Sequence, residues 1–280
     1  MKNNKKRMKP TRFIKKYFRL MLGLAIVASV IFCAVFAPYL TDYDPTELNV
    51  PEAKQTPSEN HLMGTDKFGR DIFTRVCYGA RSTLIVSFGA QVLGVFFGTV
   101  LGLLCGYYSK LEKVLMRILD AMSTIPNLIL CLLMVSIFGS GIMNLILAMS
   151  VNAIPGGARM VRNQVLSLRE KEYIESEKAM GASDLRTIFL HILPACSSYL
   201  IVRFTSGLAG SALSMTSLSF LGLGLDPTIP SWGGMINEAQ VNLFGYPHIV
   251  LFPALAISIT IFGFTLAGDG IRDLLDPKLR

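Results

Sequence analysis

The chain has 280 residues, 51% hydrophobic and only 16% charged, with a formal net charge of +8. A soluble domain carries about 25% charged residues, so this composition, with a mean hydropathy of +0.48, excludes an ordinary soluble globule. The positive balance does not mark a nucleic-acid binder, because no clustered basic domain with interleaved aromatic residues stands outside the apolar tracts.

In chain order, residues 1–19 form a basic tail with nine Lys/Arg. The positive-inside rule keeps such a tail in the cytoplasm. Two readings of it stand: a segment resting on anionic lipid, or a solvated tail that only sets topology. From Leu20 no charge appears until Asp42, which predicts a first transmembrane helix over 20–38. Its end, "FAPYLTDYDP", lacks a small-x-small cleavage site, so it reads as a retained span. Residues 39–82 form an external loop, and "GTDKFGRDIFTRVCYGARSTL" (64–84) reads as an interfacial helix leading into the next span.

Further uncharged tracts run over Thr83–Ser109, Ala121–Ala158 and Ala239–Gly268, and Ile192–Leu225 is broken only by Arg203. A bilayer needs about 20 apolar helical residues. The tracts predict spans near 83–108, 118–138, 142–159, 196–221 and 249–269, six in all with the first. The fold class is therefore an all-α membrane protein of six transmembrane helices, with both termini cytoplasmic. Predicted inside segments then hold 21 Lys/Arg and outside segments five, so the net charge reports membrane orientation. The last external loop, 226–248, is rich in Gly and Pro and reads as a candidate to dip into the membrane surface. The five cysteines match no metal or disulfide spacing. Neither an H-E-x-x-H nor a G-x-x-x-x-G-K-[ST] sequence is present.

Between the fourth and fifth spans lies "EYIESEKAMGASDLRTIFLHILP" (172–194). Glu172–Met180 has helix-forming composition. Gly181 permits a sharp turn. Ser183 or Asp184 is placed to cap a second helix, in which Leu185, Ile188, Phe189 and Ile192 share one face. Pro194 marks the start of the fifth span. The pattern alone leaves two readings: a helical pair held in a groove of a cytosolic partner, or an interfacial loop that only shields the bundle.

This stretch resembles the EAA loop of ATP-binding-cassette (ABC) importer permeases: Glu-Ala-Ala, three residues, Gly, nine residues, Ile-x-Leu-Pro. Glu175, Gly181, Leu193 and Pro194 hold their places, whereas Ser176 and Glu177 replace the alanines and His191 the isoleucine. Two further stretches, "GTDKFGRDIFTRVCYGAR" (64–81) and "GDGIRDLLDPKLR" (268–280), look like the C-type permease of dipeptide, oligopeptide and nickel importers. The resemblance implies a MetI-like permease core over 83–280, with a coupling loop at 170–194. It implies a homologous second permease, two cytosolic ABC ATPases that bind the ATP and Mg, and an extracytoplasmic substrate-binding protein, all at a bacterial cytoplasmic membrane. It assigns coupling to Glu175, Ser176, Glu177, Ala179, Gly181, Ala182, Leu193 and Pro194. The implied cargo is a di- or oligopeptide, nickel or a metal chelate. The chain itself is expected to hold no cofactor and to do no covalent chemistry.

In the fifth span, "TSGLAGSALSMTSLS" (205–219) has eleven small residues of fifteen. Ser206, Gly210 and Ser214 repeat every fourth residue, beside a second stripe of Arg203, Gly207 and Ser211. Such stripes serve close helix packing or line a hydrated path, and Arg203, Gly207, Ser211 and Ser214 are the pathway or gate candidates. Arg203 reads either as snorkelling to the cytoplasmic side or as a gate. In the external loop Asp66, Arg70 and Asp71 read either as docking residues or as an ion network that orders the loop. Two rival functions remain at this point. An ion-coupled secondary carrier would need intramembrane acids, which are nearly absent; a membrane scaffold would move nothing.

Overall fold

A computed structural model describes residues 10–275, with the side chains of residues 17–275. Residues 1–9 of the basic tail and the end of the C-terminal signature, with Lys278 and Arg280, lie outside the described residues. Within them the regular structure is helical, apart from one isolated bridge between Thr65 and Asp71. Helices α1 (Pro10–Leu40), α2 (Ile72–Tyr107), α3 (Ser109–Thr124), α4 (Asn127–Phe138) and α5 (Ile142–Arg169) come first. The short α6 (Glu172–Ala179) and α7 (Asp184–Thr187) precede α8 (Leu193–Phe220), α9 (Trp232–Ala239) and α10 (His248–Leu275).

The spine is α2, 36 residues and about 54 Å at 1.5 Å per residue. Asp71 caps it by accepting from the Thr74 amide at 2.7 Å, so the helix starts at Ile72 and runs unbroken. Of the stretch 64–84, expected as an interfacial helix leading into the second span, the helical part is continuous with that span and begins at Ile72. Residues 64–71 are instead a tight loop, with Gly64 and Gly69 at positive φ. Along α2, Gly94, Gly98, Gly102 and Gly106 face Ala153, Gly157, Val161 and Val165 of α5 in the same order. The two helices therefore run parallel, and absent side chains let the backbones meet.

Parallel neighbours require a return crossing between them, and α3 with α4 supplies it. The pair bends by 92° at Ile125–Pro126, where the ring of Pro126 pushes Ile125 into extended backbone. The stretch 118–138, expected as the third span, is thus broken at Pro126. Four helical stretches among the described residues are long and apolar enough to cross a membrane alone, and the number is five if the bent pair is one span. The fourth expected span, 142–159, falls in the first half of α5, a helix that does not reach that mark.

At the Ile72 end of α2, Ile72, Ala80, Trp232, Met235 and Ile249 form one core cluster. The Gly/Pro-rich loop 226–248 contains a helix, α9. Ser231 caps it, and the buried Trp232 ring donates to the Val76 carbonyl at 2.9 Å. Val86, Ala90, Leu145, Met149, Met215 and Leu218 pack mid-bundle. At the Tyr107 end, Leu103, Val161, Val165, Ile174, Ile188, Ile192 and Cys196 close the core. Helix α1 packs on α10, where Gly23, Gly263 and Gly270 allow close approach.

Candidate functional site

The 172–194 segment sits at the Tyr107 end as an elbow. Helix α6 ends in a glycine C-cap: the Gly181 amide donates to Lys178 O at 3.0 Å and the Ala182 amide to Glu177 O at 3.2 Å. This pair of bonds is a Schellman motif, which needs a left-handed residue at its turn, and Gly181 has φ +86°. Of the two candidate caps for the second helix, Ser183 serves, accepting from the Arg186 amide. Asp184 instead accepts from the Tyr107 hydroxyl at 2.8 Å.

The second arm does not stop at Pro194. A five-residue π-helical turn, Ile188–Ile192, joins α7 to α8, so helix runs from Asp184 to Phe220. Widening the turn ahead of Pro194 relieves the clash of its ring with the carbonyl four residues earlier. The expected apolar face of Leu185, Ile188, Phe189 and Ile192 divides in consequence. Ile188 and Ile192 are buried, while Leu185 and Phe189 are 66% and 58% exposed. Tyr173 and Met180 are exposed as well, which gives the elbow an outer apolar surface.

Glu175, Ser176, Ala179, Gly181 and Pro194 are exposed, and Glu177, Ala182 and Leu193 half-buried. The Ser176 hydroxyl turns back to Glu172 O at 2.8 Å. Glu177 pairs with His191 at 2.8 Å and lies 3.8 Å from Arg186. These two departures from the EAA pattern therefore contact each other and tie the two arms together. Lys178 lies over the Tyr107 ring, 4.7 Å from its centre. Ile174 is the one buried residue of α6.

The second-stripe residues of α8 face protein. Gln91, buried in the middle of α2, donates to the Arg203 carbonyl at 3.2 Å and accepts from the Ser211 hydroxyl at 3.2 Å. A Cβ on Gly207 would come within 2.0 Å of the Gln91 amide nitrogen. Gly207 and Ser211 thus pack α8 against α2, and Gln91 is the partner that sequence reading missed. The Arg203 side chain is half-buried and reaches towards Gly156. Ser214 is half-buried, and Gly210 opens onto free space.

Asp66, Arg70 and Asp71 lie at the opposite end of α2 from the elbow, and all three are buried. Asp66 accepts from Arg70 Nε at 2.6 Å, and the other end of Arg70 pairs with Glu238 of α9. Asp71 pairs with His61 at 2.9 Å. Arg75, 2% exposed, donates to Pro45 O at 3.0 Å and lies 3.7 Å from Asp66. This is the loop-ordering alternative. At the same end Asp44 and Asp226 each open a turn; bonds from the Thr46 and Thr228 hydroxyls, then amides, hold both carboxyls below the usual range.

No group of three or more His, Cys, Asp or Glu residues is placed to hold a metal among the described residues. The five cysteines are free.

Residues 98–280 match the family model described as binding-protein-dependent transport system inner membrane component. Residues 18–57 match the N-terminal transmembrane domain of oligopeptide transport permease C. The glutathione transport system permease protein GsiD of Pectobacterium atrosepticum is 40% identical over 271 residues, covering 96% of this chain and 90% of that protein. The dipeptide transport system permease protein DppC of Alkalihalophilus pseudofirmus is 41% identical over 268 residues, covering 95% and 88%. The inward-facing MetNI methionine ABC transporter superposes with a TM-score of 0.60 at 21% identity, over 72% of this chain and 96% of the matched chain; that likeness speaks for the fold. The chain belongs to the family of binding-protein-dependent transport system inner membrane components, and it is a multi-pass permease subunit of an ABC importer, not an enzyme.

Proposed function

We propose that this chain builds, with a homologous second permease, the pathway for uptake of di- or oligopeptides, and that residues 172–194 couple it to two cytosolic ATPases. The ATPases hold the ATP and Mg, and an extracytoplasmic binding protein delivers the cargo. The elbow and both termini face the cytoplasm in this reading, and the Asp66–Arg70–Glu238 end faces outward. Peptide cargo is preferred to nickel or a metal chelate because the relatives named above are dipeptide and glutathione permeases.

One observation carries the coupling role. The elbow exposes Tyr173, Met180, Leu185 and Phe189, while its second arm continues without a break into α8. A push on that apolar surface has one stiff path into the membrane. An ATPase cleft that receives the elbow covers this surface, as in helix-in-groove recognition.

The test is cysteine cross-linking in the assembled transporter. Leu185→Cys is expected to cross-link to an engineered cysteine in the ATPase cleft, with a yield that changes when ATP is added. Absence of any cross-link in an ATPase-active assembly would refute the coupling role. Transport of peptides by the same assembly tests the cargo separately.

A further inference from the structure

We propose that α3 is an in-plane membrane anchor, with one face in the acyl chains and a basic stripe on anionic phospholipid headgroups. This rests on the chain being a membrane permease and is independent of the coupling role of the elbow.

Direction comes first. Glu112 of α3 accepts from Arg162 Nε at 2.9 Å. Eleven residues later Ser123 meets Arg159, and Asp120 lies 3.3 Å from the same arginine. About 16 Å of α3 is thus tied to a single turn of α5, so α3 crosses α5. By contrast α4 runs along α5, with the Cys131 thiol donating to Ala148 O at 3.7 Å and Val135 in one cluster with Leu145. The two halves meet at 92°. With α5 and the 12-residue α4 running along the bilayer normal, α3 lies close to the membrane plane, at the Tyr107 end where the elbow also sits.

The faces of α3 agree with that placement. Leu111, Val114 and Ile118 form an i, i+3, i+7 stripe and are 43%, 61% and 52% exposed; Leu119 is the helix's one buried residue. One position back in sequence, Lys110, Lys113 and Arg117 form a second stripe about 100° around the helix, and all three are exposed. The acids of α3 are engaged elsewhere, Glu112 with Arg162 and Asp120 with Arg159. The basic stripe therefore carries three charges with no acidic partner on its own helix, beside an apolar face. That is the composition of an interfacial helix, and the three cations select a negatively charged surface.

The test places the permease complex in nanodiscs. Val114→Trp and Lys113→Trp are compared in lipid brominated along its acyl chains, with the unsubstituted complex subtracted as background. This chain's own tryptophan, Trp232, is 2% exposed at the far end of α2. The emission added by Val114→Trp is expected to be quenched at least twofold more than that of Lys113→Trp. In parallel, a Lys110→Gln, Lys113→Gln, Arg117→Gln variant is expected to lose retained phosphatidylglycerol by native mass spectrometry, by about fivefold per residue, or about 1 kcal/mol each. Equal quenching at the two positions overturns the anchor; if Val114→Trp is also blue-shifted, the face belongs to the companion permease. Unchanged lipid retention in the triple variant overturns the headgroup site.

Discussion

Gly181 and Gly207 are both glycines in short polar surroundings, yet the structure asks different things of them. At Gly181 a Cβ would meet nothing within 4 Å, and the requirement is the φ of +86°. A non-glycine residue there loses about 1–2 kcal/mol of elbow geometry and leaves the bundle intact. Gly181→Trp is therefore expected to insert and assemble normally while uncoupling ATP hydrolysis from uptake, measured as ATPase activity against transport in the same proteoliposomes. At Gly207 the φ is ordinary and the space is missing, because Gln91 fills it. Gly207→Ala should lower the thermal midpoint of the purified complex. Adding Gln91→Ala should recover part of that loss, since hydrogen bonds between membrane helices contribute only about 0.6 kcal/mol on average. The need for a turn at Gly181 was legible from its place between a charged helix and a cappable serine. The clash at Gly207 was not, because Gln91 lies 116 positions away in sequence.

Between elements, the closest interface is α2 against α5. Its signal, glycine at every fourth position from Gly94 to Gly106, stands plainly in the sequence. At Gly102 a Cβ alone would sit 2.6 Å from the Val161 Cβ and 2.7 Å from the Ala158 carbonyl. Gly102→Leu is expected to abolish folded, monodisperse permease in detergent, checked by size-exclusion profile, whereas Gly210→Leu, which faces open space, should leave that profile unchanged. Elements also correct the reading of proline. Pro126 breaks its span because Ile125 takes an extended conformation. Pro194 does not, because a π turn precedes it. The residue type was visible in both places; the local hydrogen-bond register that decides between kink and break was not.

Across the whole molecule, α2 separates two polar ends. One is the exposed elbow. The other is a buried ion network in which Arg70 and Arg75 join residues 41–71 to α9 through Asp66, Glu238 and Pro45. Removing one partner of a buried pair costs about 3–5 kcal/mol. With Arg75 gone, Arg70 alone faces the two carboxylates of Asp66 and Glu238, so Arg75→Met is expected to cost about 3–5 kcal/mol, read as a fall in the thermal midpoint of the complex. Binding of the ATPases at the far end should persist. The sequence by itself determined the membrane class, the helical tracts and the elbow's frame, since hydropathy and a spaced Glu–Gly–Leu-Pro pattern are properties of contiguous residues. Only the tertiary structure decided that Asp66, Arg70 and Asp71 are internal struts, that Gly207 and Ser211 pack on Gln91, and that α3 turns across the bundle. Each of those facts depends on groups distant along the chain meeting in space, where burial and pairing, not residue type, set what a side chain does.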